Sequence, residues 1–497
     1  MRGFSSVLAS LACAFAACTP PAPPKDLPKV PPPAKVDPQP AGPTFAPANA
    51  PVVIVGGGLA GLVTAHELKK VGIMTHVLEG GDVWGGRVQT AEYGPGLHGE
   101  FGLQEIWGDN PLLSVAKDLG VELDGDVEAP YSSMILEGKV YPYTQDTTDA
   151  YFAALMSPEE VKQLKGWMEK ATALRELALK DGLRSADIAS IQKLSFKDWV
   201  ESFKMTKRVN DWIRLTIECE LAYPWTTFSG LVGLVEFGVF LKGGEPNYKV
   251  KGGNSRLIDA LVKELGDRGT LSAMVSRIER KDGSARVHYL KSRQQRVIDA
   301  KRVVVAVPFW RLHQIDFSPP LSADRWAAIN SLMRGQYTVV HLVMSKEARK
   351  VWEINGVSPF PVLADGPLSV IYGVMSDSPP ESKSEVFSFL VHGYAAQAWH
   401  MVPREVKLKE LMDKMDEHWP GFSKYVESSY VYGYHPGSIA VWPPGRSPLD
   451  EQHARLREPE LGLWLVGDWL YSGHSDGAAK SAMGAAAGLA KELGTPK

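Results

Sequence analysis

The chain has 497 residues and a formal net charge of −3 at pH 7, and 44% of its residues are apolar and 22% charged. This length allows roughly two to four domains, and the composition excludes a disordered, collagenous or basic nucleic-acid-binding chain. Of three cysteines, Cys13 and Cys18 lie at the amino terminus and Cys219 stands alone in the body. An intrachain disulfide framework is therefore excluded there.

Residues 1–18 predict a bacterial signal peptide. Arg2 supplies a positive charge and an apolar run follows it, shorter than the about 20 residues that span a bilayer. Small residues directly before Cys18 resemble the lipobox of bacterial lipoproteins, although Phe15 stands where leucine is usual. The resemblance implies that Cys18 is lipidated. An ordinary cleaved signal peptide or an unprocessed buried helix is the alternative.

The segment after Cys18 predicts a linker. Thirteen prolines lie between Pro20 and Pro51, and such a composition forms a semi-rigid, extended tether over residues 19–50. Thr19 resembles the residue that follows the cysteine in lipoproteins of the outer membrane. We therefore expect the protein on the periplasmic face of a bacterial membrane, anchored through a lipid to the outer membrane.

A dinucleotide-binding unit begins at residue 52. Residues 52–55 form an apolar, β-branched run typical of a strand buried on both faces of a parallel sheet. The sequence Gly-Gly-Gly-Leu-Ala-Gly and a helical stretch follow. In this motif Gly56 makes the tight turn, Gly58 lets the backbone approach a pyrophosphate, and Gly61 lets the helix pack closely on the strand.

The residues after this helix distinguish FAD from NAD. A second strand, 76–78, ends at Glu79, whose carboxylate can accept both ribose hydroxyls and argues against the 2′-phosphate of NADP. Gly85, Gly86 and Arg87 follow at a spacing that resembles the second fingerprint of the flavin-containing amine oxidase superfamily. There these residues pack along the flavin diphosphate. The chain departs from the family at Gly81, where an arginine is usual.

The carboxyl-terminal segment resembles the closing motif of the same family. An apolar strand, 463–466, precedes Gly467 and Asp468, and a helix rich in small residues begins at Gly477 and Ala478. Asp468 can bind a ribityl hydroxyl. The helix N-terminus carries about half a positive charge and favours negative charge on the flavin ring.

The resemblance implies an α/β fold, in which a Rossmann-type FAD-binding domain of the glutathione-reductase type is interleaved with an α+β substrate domain. Val275 falls in a predicted strand, 275–278, that contacts adenosine in the family. Residues 126–247 are predicted to be helical, with a helix over 158–179, and residues 337–344 and 385–393 alternate as strands. The expected FAD-binding domain comprises residues 51–125, 248–310 and 441–497, and the substrate domain comprises residues 126–247 and 311–440.

The predicted active site departs from the family. Amine oxidases of this superfamily place a lysine beside the flavin, where this chain has Val339 or, one register on, Val340. Two aromatic rings flank the amine in the family. Here His474 stands at one of these positions, and Ser438 or Ile439 stands at the other.

These residues point to an FAD-dependent oxidoreductase without a metal. Gly437 replaces the cysteine that attaches flavin in some relatives, so FAD is expected to bind non-covalently. The first hypothesis is hydride transfer from a small amine or amino acid, with His474 as candidate catalytic residue and oxygen or a quinone as electron acceptor. The alternatives are dehydrogenation of an apolar, isoprenoid-like substrate, with tryptophans such as Trp225 and Trp442 lining a tunnel, and flavin binding without turnover.

Overall fold

The computed structural model describes residues 51–494 except 129–130, 144–147, 242–245, 282, 377 and 435–436. The predicted signal peptide, Cys18 and the proline-rich segment lie outside the described residues.

Apolar β-branched runs form a five-stranded parallel sheet. Its central strand, Val52–Val55, is buried along its whole length because it has a parallel neighbour on each side. Helices pack against one face of the sheet, and strands of a four-stranded sheet pack against the other. The Leu59–Lys70 helix packs against the sheet and contacts the Ser255–Leu265 and Ser475–Leu493 helices. In order across the sheet, the strands are Gly269–Thr270, Thr75–Leu78, Val52–Val55, Arg302–Val305 and Leu463–Leu465.

A seven-stranded sheet forms the centre of the second half of the molecule. Its strands are, in order, Val426–Gly433, Tyr337–Ser345, Ser384–His392, Val370–Val374, Val362–Leu363, Ser133–Leu136 and Lys139–Tyr141. A four-stranded sheet contains Gln294–Ala300, Ser284–Lys291, Met274–Lys281 and Asp316–Ser318. The smaller sheets pair Thr90–Gly94 with Leu97–Glu100, Met333–Gly335 with Ile439–Val441, and Pro246–Val250 with Ile106–Trp107 and Leu123–Glu128.

Helices cover these sheets. The longest, Pro158–Asp181, begins with a capping box in which Ser157 and Glu160 satisfy each other's backbone N–H groups. The remaining helices are Leu59–Lys70, Leu112–Asp118, Thr148–Leu155, Ala186–Lys193, Phe196–Glu201, Lys207–Leu221, Gly230–Glu236, Gly238–Leu241, Ser255–Leu265, Ala323–Asn330, Arg349–Trp352, Gly393–Trp399, Arg404–His418, Glu451–Ala454 and Ser475–Leu493. No helix among the described residues combines the length and the apolar character that a bilayer crossing needs.

The predicted α/β fold class is confirmed by the parallel sheet with its packed helices and by the mixed second half. The helical prediction for residues 126–247 is wrong at its start, because Ser133–Leu136 and Lys139–Tyr141 are strands of the seven-stranded sheet. Strands do form at Tyr337–Ser345 and Ser384–His392, but both are buried on both faces instead of alternating. The domain boundaries stay a prediction.

Candidate active site

One cavity of about 1290 Å³ connects the glycine motif after the first strand with the seven-stranded sheet. Its nucleotide end is lined by Gly56, Gly58, Glu79 and Val275. Its other end is lined by side chains of the strands Tyr337–Ser345 and Val370–Val374. A dinucleotide cofactor and a substrate could therefore meet inside a single cavity.

The nucleotide end has the chemistry that FAD needs. Gly58 is the N-cap of the Leu59–Lys70 helix and supplies no side-chain cap, so the first-turn N–H groups could donate to an anion. A Cβ on Gly58 would meet no atom closer than 3.9 Å, which leaves room for a pyrophosphate. The Glu79 carboxylate accepts the N–H groups of Gly57 and Gly81 at 2.7 and 2.6 Å, and this orients it at the cavity wall.

The other predicted glycines serve the turn and the packing. Gly56 has φ +110°, and a Cβ there would lie 2.6 Å from the Ala306 oxygen. Gly61 does not line the cavity, and a Cβ on it would lie 2.0 Å from the Gly56 oxygen. Gly85 and Gly86 both have positive φ and line the cavity.

Arg87 and Asp468, predicted as separate cofactor contacts, form one bidentate ion pair. Two nitrogens of the guanidinium donate to the two carboxylate oxygens at 2.9 and 2.7 Å, and one of them also donates to the Ser438 carbonyl. Burial alone would lower the pKa of Arg87, but the Asp468 carboxylate outweighs burial and raises it. Because both side chains line the cavity, the pair joins the two fingerprint segments at the cavity wall.

The carboxyl-terminal helix begins at the cavity. His474 is the N-cap of the Ser475–Leu493 helix and makes no side-chain cap hydrogen bond. Gly467 and Ala478 line the cavity as predicted for cofactor-binding residues. Gly477 lies behind the wall, where a Cβ would be 2.6 Å from the Ser472 oxygen.

Three of the four residues predicted at the lysine position and at the second aromatic position line the cavity. Val339 lines the cavity, whereas Val340 does not contribute to its wall. Ser438 and Ile439 both line it, and the Ser438 hydroxyl accepts the N–H of Tyr337 at 3.1 Å. A Cβ on Gly437 would lie 2.7 Å from the Arg334 Cβ, so the local packing leaves little space for a cysteine.

His474 belongs to a charged cluster that the sequence did not predict. Its Nε2 atom lies 3.5 Å from a Glu236 carboxylate oxygen and has no hydrogen-bond partner among the described residues. Burial alone would lower the pKa of His474, but Glu236 and Glu220 outweigh it, so the pKa is raised. The imidazole therefore keeps its proton to a higher pH than usual.

Five further residues at this end were missed by sequence reasoning. They are Glu105, Glu220, Glu236, Tyr337 and Tyr372, and all of them line the cavity. Burial raises the pKa of the three carboxyl groups and of the two phenols. A signal for Glu236 was present, because it interrupts the apolar run from Leu231 to Phe240, and a glutamate is seldom fully buried unless it is paired.

The tryptophans do not form an apolar tunnel. Trp225 and Trp442 are core residues with 7% and 0% of their surface exposed. Among the described residues, Trp107 is the tryptophan that lines the cavity. Cys219 is buried, as predicted, and its thiol donates to the Thr216 carbonyl at 3.1 Å.

Comparison with known proteins gives a consistent family assignment. The family model described as flavin containing amine oxidoreductase matches residues 59–490. Nicotine dehydrogenase of Pseudomonas putida is 25% identical over 59% of this chain and 60% of its own length. A flavin-containing amine oxidase of Oncorhynchus mykiss is 22% identical over 89% of this chain and 86% of its own. The structure of putrescine oxidase bound to putrescine has a TM-score of 0.78 at 21% identity and covers 90% of this chain and 100% of its own.

Proposed function

The chain belongs to the family of flavin-containing amine oxidoreductases, whose model matches most of its length, and we propose that it oxidises an amine to an imine. As a member of this family it is an FAD-dependent oxidoreductase. FAD, when bound, supplies the hydride acceptor. Gly58, Glu79 and the Arg87–Asp468 pair would hold it.

The observation that carries this proposal is the acidic end of the cavity. Glu105, Glu220 and Glu236 line it together with His474. Buried carboxylates attract and stabilise cationic ligands, and an amine arrives mostly as an ammonium ion at neutral pH. A hydrocarbon gains nothing from these groups and would have to desolvate them. The apolar-substrate alternative is therefore not favoured.

The chain's own residues can prepare the amine for reaction. An amine must lose its ammonium proton before its α-carbon can release a hydride, and a Glu236 oxygen can accept that proton. Burial raises the pKa of Glu236, which makes its carboxylate a stronger base than an exposed one. His474, 3.5 Å away, stabilises the charged carboxylate before the transfer. Orientation of the neutral amine in the enclosed cavity supplies the rest of the rate enhancement.

Anaerobic reduction of the flavin tests this function directly. The FAD-loaded enzyme would be mixed without oxygen with alkylamines, diamines, amino acids and polyenes, and the flavin absorbance near 450 nm would be followed. We expect amines to bleach it. Bleaching by a polyene but by no amine would overturn the proposal.

We propose that the electron acceptor is a quinone, with oxygen as a slow acceptor. The support is that Val339, one of the two residues that the resemblance aligns with the family's lysine beside the flavin, lines the cavity. The relatives include a protein named dehydrogenase as well as one named oxidase, so family membership leaves the acceptor open. Because this chain lacks the lysine, we expect it to act as a dehydrogenase that passes its electrons to a quinone.

Slow reaction with oxygen is the corresponding prediction. After photoreduction, the flavin is expected to be reoxidised by a water-soluble quinone at least about tenfold faster than by oxygen, equivalent to a barrier difference of about 1.4 kcal/mol. Stopped-flow absorbance measures both rates. Rapid formation of hydrogen peroxide in air would contradict the prediction.

We also propose that the protein is a periplasmic lipoprotein attached to the outer membrane through Cys18. The support is in the sequence: an apolar run, small residues before Cys18 and a proline-rich tether. We expect wild-type protein to fractionate with membranes and the Cys18→Ala variant to be released. Membrane fractionation followed by mass spectrometry of the mature amino terminus measures both. A Cys18→Ala variant that still fractionates with membranes would refute the lipid anchor.

A further inference from the structure

Two helices end at the substrate side of the cavity with a glutamate in their last turn. Glu220 is the penultimate residue of the Lys207–Leu221 helix, and Glu236 is the last residue of the Gly230–Glu236 helix. The C-terminus of a long helix carries a partial negative charge, and a cation there is stabilised. A carboxylate in the same place adds to the negative potential. The Lys207–Leu221 helix therefore directs two sources of negative charge at the cavity.

Glu236 has His474 at 3.5 Å, whereas His474 acts on Glu220 only through a longer-range electrostatic attraction. Within the part of the chain that the structure describes, no lysine, arginine or histidine forms an ion pair with Glu220. Its carboxylate has a single weak contact, from the Cys219 thiol at 3.7 Å.

The other cations of the cavity wall hydrogen-bond to groups other than Glu220, as Arg311 does to Gln314 at 3.2 Å. Lys480 donates to Asp476 at 2.8 Å and Lys249 donates to the Met375 carbonyl at 2.8 Å. Arg175 donates through Nε to the Val235 carbonyl at 3.1 Å, and Arg87 is paired with Asp468.

The position of Glu220 is fixed by its neighbours. The Tyr337 hydroxyl donates to the Cys219 and Glu220 carbonyls at 2.6 and 2.9 Å, which ties the end of the helix to the seven-stranded sheet. The rings of Tyr337 and Tyr372 line the same part of the cavity, and the faces of tyrosine rings attract cations. A buried carboxylate without a partner is costly, and a cation bound from outside offsets that cost.

We propose that Glu220 binds the second ammonium group of a diamine or polyamine whose first amine lies beside His474 and Glu236. This inference rests on the proposed amine oxidation and narrows its substrate class. An α-amino acid is disfavoured because its carboxylate would face Glu220 and Glu236 across the cavity. A simple alkylamine lacks the group that Glu220 recognises.

The kinetic test compares matched pairs of substrates. The kcat/KM of a terminal diamine with four to six carbons is measured against that of the alkylamine of equal length. In wild-type enzyme we expect the diamine to be preferred. In Glu220→Gln, which keeps the side-chain size and removes the charge, the ratio of the two kcat/KM values should fall roughly tenfold to hundredfold, the value of one charged hydrogen bond.

Glu218→Gln is the matched control. Glu218 lies on the same helix, and Glu218→Gln removes the same charge as Glu220→Gln. The Glu218 side chain does not line the cavity and accepts the Trp225 N–H at 2.9 Å. We expect its diamine preference to match wild type. Equal falls of the ratio in both variants would mean that the net charge of the helix, and not a contact of Glu220, sets the preference, and would overturn the proposal.

A binding measurement separates this inference from the proposed function. Calorimetry of the FAD-loaded enzyme with 1,4-bis(guanidino)butane and with butylguanidine uses ligands that stay cationic. We expect the bis-guanidine to bind at least tenfold tighter to wild type and to lose this advantage in Glu220→Gln. If amines bleach the flavin but neither ratio depends on Glu220, the inference fails and the proposed function stands. If no amine bleaches the flavin but the tighter binding of the bis-guanidine still depends on Glu220, the proposed amine oxidation is wrong. The proposal that Glu220 binds the second cationic group of a ligand then stands.

Discussion

Replacement of Arg87 by alanine is expected to abolish retention of FAD and to destabilise the protein. The substitution leaves the Asp468 carboxylate, whose side chain is 6% exposed, without its guanidinium partner. Breaking a fully buried pair typically costs about 3–5 kcal/mol. Arg87 keeps 31% of its side chain exposed towards the cavity, so we expect a smaller loss of unfolding free energy, about 2 kcal/mol. Flavin content after gel filtration and urea denaturation measure the two effects.

Arg286→Ala is the control for this prediction. Arg286 also forms a bidentate pair with Asp299, through Nε and Nη2 at 2.7 and 3.0 Å, but both side chains are exposed. Its loss should change the unfolding free energy by less than about 1 kcal/mol and leave the flavin content unchanged.

A double variant, Arg87→Met with Asp468→Leu, removes both charges of the pair. It should regain most of the stability because no buried carboxylate is left unpaired, but it should still lack FAD. An Arg87→Ala protein that keeps its flavin would contradict the assignment of this pair to the cofactor site.

The nucleotide half of the site could be predicted from the sequence because backbone geometry dictates its residues. Only glycine fits where Gly56 has φ +110° and where Gly61 approaches the Gly56 carbonyl. Such constraints act over a few residues, so local spacing reveals them. The pairing of Arg87 with Asp468 could not be read in this way, since 381 residues separate them and each alone resembles a cofactor contact.

The substrate half was predicted less well for the same reason. Glu220, Glu236 and His474 come from three different helices, and their proximity is created by tertiary packing. The strand Ser133–Leu136 was also missed, because a short buried apolar run has no periodicity that separates strand from helix. What the sequence did contain was the isolated glutamate in the apolar run around residue 236.

Alanine substitutions at two glycines of one motif are expected to have different effects: Gly61→Ala should lower stability, and Gly58→Ala should weaken FAD binding. In Gly61→Ala the new Cβ would lie 2.0 Å from the Gly56 oxygen, a backbone atom that cannot move without displacing the helix or the first strand. We expect a loss of about 3 kcal/mol or more in unfolding free energy, at the upper end of overpacking effects, whether or not FAD is present. Urea denaturation of the FAD-free protein measures it.

In Gly58→Ala the new Cβ would meet no protein atom within 3.9 Å, and the backbone there, at φ −77°, accepts alanine. The FAD-free protein should therefore keep its unfolding free energy within about 1 kcal/mol. FAD should bind at least about tenfold more weakly, a loss of about 1.4 kcal/mol, because the methyl group takes the space in front of the helix N-terminus where the pyrophosphate binds. Quenching of FAD fluorescence measures the affinity. A Gly58→Ala protein with unchanged affinity would show that the pyrophosphate does not approach the backbone at this residue.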